Sequence, residues 1–88
     1  MSRAKAVDRN QPEIVAALRD AGATVQILSA VGKGCPDLLV GYNEVNYLLE
    51  VKMPGGKLTD DQRVWHSTWA GRFAVVYSAD EAVKKVVK

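Results

Sequence analysis

Asp37, Glu50 and Lys52 are charged residues set among apolar ones, and together their side chains could do chemistry. Glu50 and Lys52 are two apart in a β-prone segment, so on a strand both project from the same face. Their neighbours Leu48, Leu49 and Val51 are apolar, which predicts an inner strand. Charges there are costly unless they are paired or bound to a metal. A hairpin turn at Asn43-Glu44 would pair Tyr42 with Val45. Counting outward from that pair sets Asp37 directly opposite Glu50. Directly opposed residues share a face, with Cβ atoms about 4.5–5.5 Å apart. Two ionised carboxylates so placed repel, and a divalent cation between them removes the conflict. Oxygen donors with open positions suit Mg²⁺ or Mn²⁺. With one histidine and one cysteine in the chain, a zinc site is excluded. Lys52 on the same face can hold or help deprotonate an attacking water and stabilise charge building on a phosphate. A metal lowers the pKa of its water and polarises the phosphate. These are the parts of metal-assisted phosphodiester hydrolysis.

The elements that must position these residues can be read from pattern. Asn10 is placed to be the N-cap of a first helix with Pro12 in its first turn, although a start nearer Lys5 is also open. Ile14, Val15, Leu18 and Ala21 follow at helical spacing, and Gly22 supplies a stop. Residues 24–28 are β-branched and predict a strand, and 29–36 a loop broken by glycine and proline. Residues 37–42 and 45–52 predict the two strands of the hairpin, and 54–57 a flexible loop. Thr59 and Gln62 have capping-box spacing and open a helix carrying Val64, Trp65 and Trp69, ended by Gly71. Residues 72–77 form a near-continuous apolar run, which predicts a buried strand. Ser78 and Glu81 form a second capping box. The last helix carries Ala82, Val83, Val86 and Val87, with Lys84, Lys85 and Lys88 on its polar side. The order α-β-β-β-α-β-α predicts a sheet flanked by helices.

Composition bounds the rest. With 88 residues, 48% hydrophobic and 25% charged, the chain reads as one globular domain, residues 1–88. A domain this small buries a modest fraction of its surface, and a partner subunit would help it. The net charge of +2 is too slight to argue for nucleic acid, so that argument must come from a site. A lone thiol, Cys35, excludes an internal disulfide and fits a reducing, cytoplasmic setting. Neither a signal peptide nor the ~18-residue apolar run of a membrane span is present in the sequence.

Pro36-Asp37 followed by Glu50-Val51-Lys52 resembles the PD-(D/E)XK nuclease signature, and the element order resembles that superfamily's core. More closely, the chain resembles the stand-alone virus-type replication–repair nuclease domain, VRR-NUC. The resembling stretches are residues 10–15, 31–41, 49–52 and 58–62, spread over most of the chain. The bare signature is short and weak, but with the flanking elements in order it is strong. The resemblance implies a restriction-endonuclease-like αβββαβ core with a mixed four-stranded sheet flanked by helices. It implies that Asp37, Glu50 and the carbonyl of Val51 bind Mg²⁺ or Mn²⁺, that Lys52 is the catalytic lysine, and that Glu13 reaches the metal, often through water. Gln62 matches a polar residue beside that lysine. The implied substrate is branched DNA such as a four-way junction, in a bacterial or phage-infected cell. Symmetric cutting of a junction by a one-site chain requires a two-fold homodimer.

Plainer readings accompany each of these. Glu13 can serve the helix N-terminus, and the capping box accounts for Gln62 without catalysis. His66 shares a helix face with Gln62 but is expected to be a surface residue. Gly32-Lys33-Gly34 could cradle a phosphate, and a simple turn is the preferred reading. Lys57 and Arg63 read as solvated charges. Trp65 and Trp69 read as core or subunit-interface residues rather than base-stacking ones. Two other functions stay open: a catalytically silent nucleic-acid-binding or assembly module, and a nuclease acting on RNA.

Overall fold

The turn that sets the expected register is present. Asn43 and Glu44 both adopt left-handed backbone angles (φ 51° and 65°), the conformation of a two-residue type I′ hairpin turn. In the computed structural model, which describes residues 7–87, the elements are α1 (Gln11–Asp20), β1 (Thr24–Ile27), β2 (Leu38–Tyr42), β3 (Val45–Val51), α2 (Asp60–Thr68), β4 (Ala74–Val76) and α3 (Ala79–Val86). A helix start near Lys5, and Lys88 at the end of the last helix, fall outside the described residues. The fold is the expected α/β architecture, a mixed four-stranded sheet with three helices. Strand order is β1-β2-β3-β4, with β1/β2 and β2/β3 antiparallel and β3/β4 parallel.

Register divides the sheet into two faces. Tyr42 pairs with Val45, Val40 with Tyr47 and Leu38 with Leu49, as counted from the turn. Leu38, Val40, Leu49, Val51 and Val76 are fully buried beneath α1 and α3, with Ile14, Leu18, Ala82 and Val86. Burying one such side chain is worth about 1.5–3 kcal/mol, so this layer carries the fold. Thr24, Gln26, Leu39, Gly41, Asn46 and Leu48 project from the opposite face. Leu39 is 37% exposed.

The strands are shorter than expected, for identifiable reasons. The β2/β3 ladder ends at Leu38–Leu49. Two residues further, Val51 would meet Pro36, whose nitrogen has no hydrogen to donate. Asp37 therefore lies just before β2, not within it, and Lys52 just after β3. β4 pairs only with Leu49, Glu50 and Val51. It is an edge strand in which Val76 alone is buried, rather than a strand covered on both faces.

The caps differ in detail too. Asn10 does not cap α1 with its side chain. Its amide donates to the carbonyls of Lys52 (3.1 Å) and Tyr77 (3.0 Å), pinning the start of α1 to the ends of β3 and β4. Gly22, at φ 98°, ends α1 as expected, with the Ala23 N–H closing on the Leu18 carbonyl. Ser78 Oγ accepts from the Glu81 N–H, but the Glu81 carboxylate reaches past Ser78 to the Tyr77 N–H, so this is half a capping box. Among the described residues no helix is long and apolar enough to cross a membrane.

Candidate active site

The end of the β2/β3 ladder is where the charged residues gather. Where Pro36 closes the ladder, the Asp37 side chain takes over. Its Oδ2 accepts the Val51 N–H at 2.8 Å, a bond that joins the strand ends by side chain. The Asp37 carbonyl meanwhile accepts from the Leu28 N–H at 2.7 Å, fastening the same residue to the end of β1. Asp37 is therefore buried (3% exposed) and held from both sides. In a strand, the N–H and C=O of one residue point the same way. The Val51 carbonyl thus faces the side on which Asp37 lies.

Glu50 projects from the same face as Asp37 and is 1% exposed. Its Oε2 accepts from Gln62 Nε2 at 3.0 Å. Gln62 also closes the capping box of α2: its Oε1 accepts the Thr59 N–H (2.9 Å), while Thr59 Oγ1 accepts the Gln62 N–H (3.2 Å). The capping reading of Gln62 therefore holds, and its hydrogen-bond partner in the site is Glu50. One end of the amide caps the helix and the other holds the buried carboxylate.

A cleft of about 360 Å³ opens here, lined by Asp37, Glu50, Lys52 and Gln62 with Asp8, Lys33, Gly34, Thr59 and Asp61. Lys52 is half-buried at its wall. The Gly32-Lys33-Gly34 loop has three successive positive φ angles (72°, 56°, 83°) and lays Lys33 on the rim. At Gly34 a Cβ would run into the Asp61 carbonyl at the start of α2, so only glycine lets loop and helix meet.

Glu13 is not among the residues that line the cleft. The inward stripe of α1 is Gln11, Ile14, Val15 and Leu18, and Glu13 lies exposed beside it. Lys57 is exposed, and Arg63 pairs with Asp60 at 3.0 Å. Trp65 and Trp69 stack on each other (centroids 4.5 Å apart, 16° between planes), and Trp69 stays 47% exposed, so the pair is no part of the core.

The lining carries four carboxylates against two lysines, a formal excess of negative charge in a chain whose net charge is positive. Such a cleft repels a phosphodiester unless a cation is bound. Among the described residues no group of three or more His, Cys, Asp or Glu side chains is placed to hold a metal ion. Two carboxylates and a backbone carbonyl do fit Mg²⁺ or Mn²⁺. Such ions keep several waters and are commonly held by one or two carboxylates plus substrate phosphates.

A family model for the VRR-NUC domain matches residues 3–80. The chain belongs to the VRR-NUC family. A solved structure described as a VRR_NUC domain is similar at 29% sequence identity, with a TM-score of 0.69, over 86% of this chain and 88% of that one. No curated protein matches. The nuclease-type fold that the signature implied is therefore that of this chain. In this VRR-NUC domain His66 also departs from expectation. His66 is turned inward, its side chain 11% exposed and its Nε2 3.9 Å from Glu50 Oε1. The spacing from Gln62 was the signal for it. What that spacing could not reveal is which face α2 turns to the sheet.

Proposed function

We propose that this VRR-NUC domain is a Mg²⁺- or Mn²⁺-dependent endonuclease that hydrolyses DNA phosphodiester bonds, acting on branched DNA as a homodimer. The observation that carries this is the convergence of Asp37, Glu50 and Lys52 on one acidic cleft at the end of the β2/β3 ladder. Asp37, Glu50 and the Val51 carbonyl would hold the cation. When bound, it would supply a low-pKa water and polarise the phosphate. Asp37 is fixed by the Val51 N–H and Glu50 by Gln62, so both carboxylates are oriented before substrate arrives. The Lys52 ammonium, projecting from the same face, stabilises charge gathering on the phosphoryl oxygens and holds the attacking water.

The homodimer is supported by the open sheet face. Thr24, Gln26, Leu39, Gly41, Asn46 and Leu48 include no charged side chain. Leu39, Asn46 and Leu48 also line a groove of about 480 Å³ together with Trp65 and Trp69. Arg72 is the one charged residue in the lining of that groove, so a second copy can meet this face across a two-fold axis with little like-charge conflict, while a partner chosen by opposite charge finds a single cation to pair with.

The test is cleavage of labelled four-way junction, flap, duplex and single-stranded DNA, and of matching RNA, with Mg²⁺, Mn²⁺ or EDTA. Junction cutting that stops in EDTA and falls at least about 100-fold in Lys52→Ala and Asp37→Ala is expected. Cutting that persists in EDTA or in both variants would refute the mechanism. Equal cutting of all DNAs would remove branch selectivity, and binding without cutting would make the chain an assembly module. By sedimentation, wild type should be dimeric and Leu48→Asp monomeric. A monomeric wild type would refute the dimer.

A further inference from the structure

We propose that His66 is a positioning residue that, together with Gln62, sets the orientation of the Glu50 carboxylate toward the cation. This rests on the reading of Glu50 as a metal-binding carboxylate.

A glutamate on a strand has three side-chain torsions, and a hydrogen bond to one oxygen leaves rotation about that contact. Gln62 makes the bond to Oε2. Its amide cannot flip without cost, because the other end accepts the Thr59 N–H. The opposite oxygen, Oε1, faces Nε2 of His66 at 3.9 Å. That is beyond a hydrogen bond, but within range of an electrostatic contact inside a buried site. Gln62 and His66 are one turn apart on α2, so a single helix face addresses both oxygens of one carboxylate.

The imidazole is also held from behind, by groups that do not depend on Glu50. Its centroid lies 4.3 Å from that of Phe73, tilted by 39°, and 5.9 Å from that of Trp65, edge to face. Phe73 immediately precedes β4, whose Val75 pairs with Glu50. The ring is thus wedged between the helix and the strand neighbouring its target. Groups that fix a ligating carboxylate in this way commonly change metal affinity when removed, with the ligands themselves untouched.

Two substitutions separate positioning from packing. His66→Phe keeps an aromatic ring against Phe73 but has no nitrogen. His66→Gln loses the ring but can place an amide nitrogen near the position of Nε2. Mn²⁺ binding to the whole chain, measured by titration calorimetry without DNA, is the readout, with thermal melting in EDTA to establish folding. The expected result is Mn²⁺ binding about tenfold or more weaker in His66→Phe, with His66→Gln near wild type. Wild-type or tighter binding by His66→Phe would overturn the inference. So would loss in both variants while both melt cooperatively, because the ring rather than the nitrogen would then matter. A wild-type chain that binds no Mn²⁺ would overturn the metal reading of Glu50 itself, and the two failures are therefore distinguishable.

Discussion

The two faces of the sheet are built from alternate residues of the same strands, yet they follow opposite rules. On one, Leu38, Val40, Leu49 and Val51 are fully buried under α1 and α3 and carry no polar atom. On the other, the intervening positions run from Leu39, Gly41, Asn46 and Leu48 to buried Asp37 and Glu50 at one end. The first face gains stability from each of those four buried residues. The second gives up apolar burial for two carboxylates on one face, which hydrogen bonds from Val51 and Gln62 help to keep in order. Stability and chemistry are thus separated by the pleat of the strand rather than by distance along the chain.

Substitutions that hit one face only can break this comparison. The largest effect is expected from Leu18→Ala, which empties the layer beneath the buried face. It should cost about 2–5 kcal/mol by urea unfolding, out of a total near 5–15 kcal/mol for a domain. A cost below about 1 kcal/mol would mean that this face is not the source of stability. Glu50→Gln should do the reverse. Cleavage should fall about 100-fold or more, while the melting temperature in EDTA holds or rises, because a buried carboxylate is replaced by a neutral amide. A melting temperature lowered as far as that of Leu18→Ala would show Glu50 to be structural. The smallest effect is expected from Glu13→Gln, less than about tenfold in cleavage, since Glu13 is exposed and does not line the cleft. A loss equal to that of Glu50→Gln would place it in the site.

Much of this was legible in the sequence because it depends on local rules. A two-residue turn determines hairpin register, and register determines that Asp37 and Glu50 share a face. The Thr59–Gln62 box is likewise a matter of spacing. What could not be read depends on how elements dock. Whether His66 meets Glu50 or water depends on the rotation of α2 about its own axis, which no single helix encodes. Asn10 looked like a cap because its type and position suit one, but its amide found two strand-end carbonyls in space instead. The apolar run before Tyr77 looked like an inner strand. Its partner allows it three residues and an edge position. Family resemblance named Glu13 as a site residue; it stands exposed beside the packing stripe of α1 and is not among the residues that line the cleft.

The Asn43-Glu44 turn sits at the other end of the hairpin from the cleft. Five residues of β3, Val45 to Leu49, separate the turn from Glu50, roughly 20 Å of strand. Both turn residues are exposed, and neither lines the cleft. The turn is therefore a natural place to graft a fluorophore, a peptide tag or a tether. A linker spliced there would lengthen a connection that already faces water and give a handle on the protein remote from the acidic cleft.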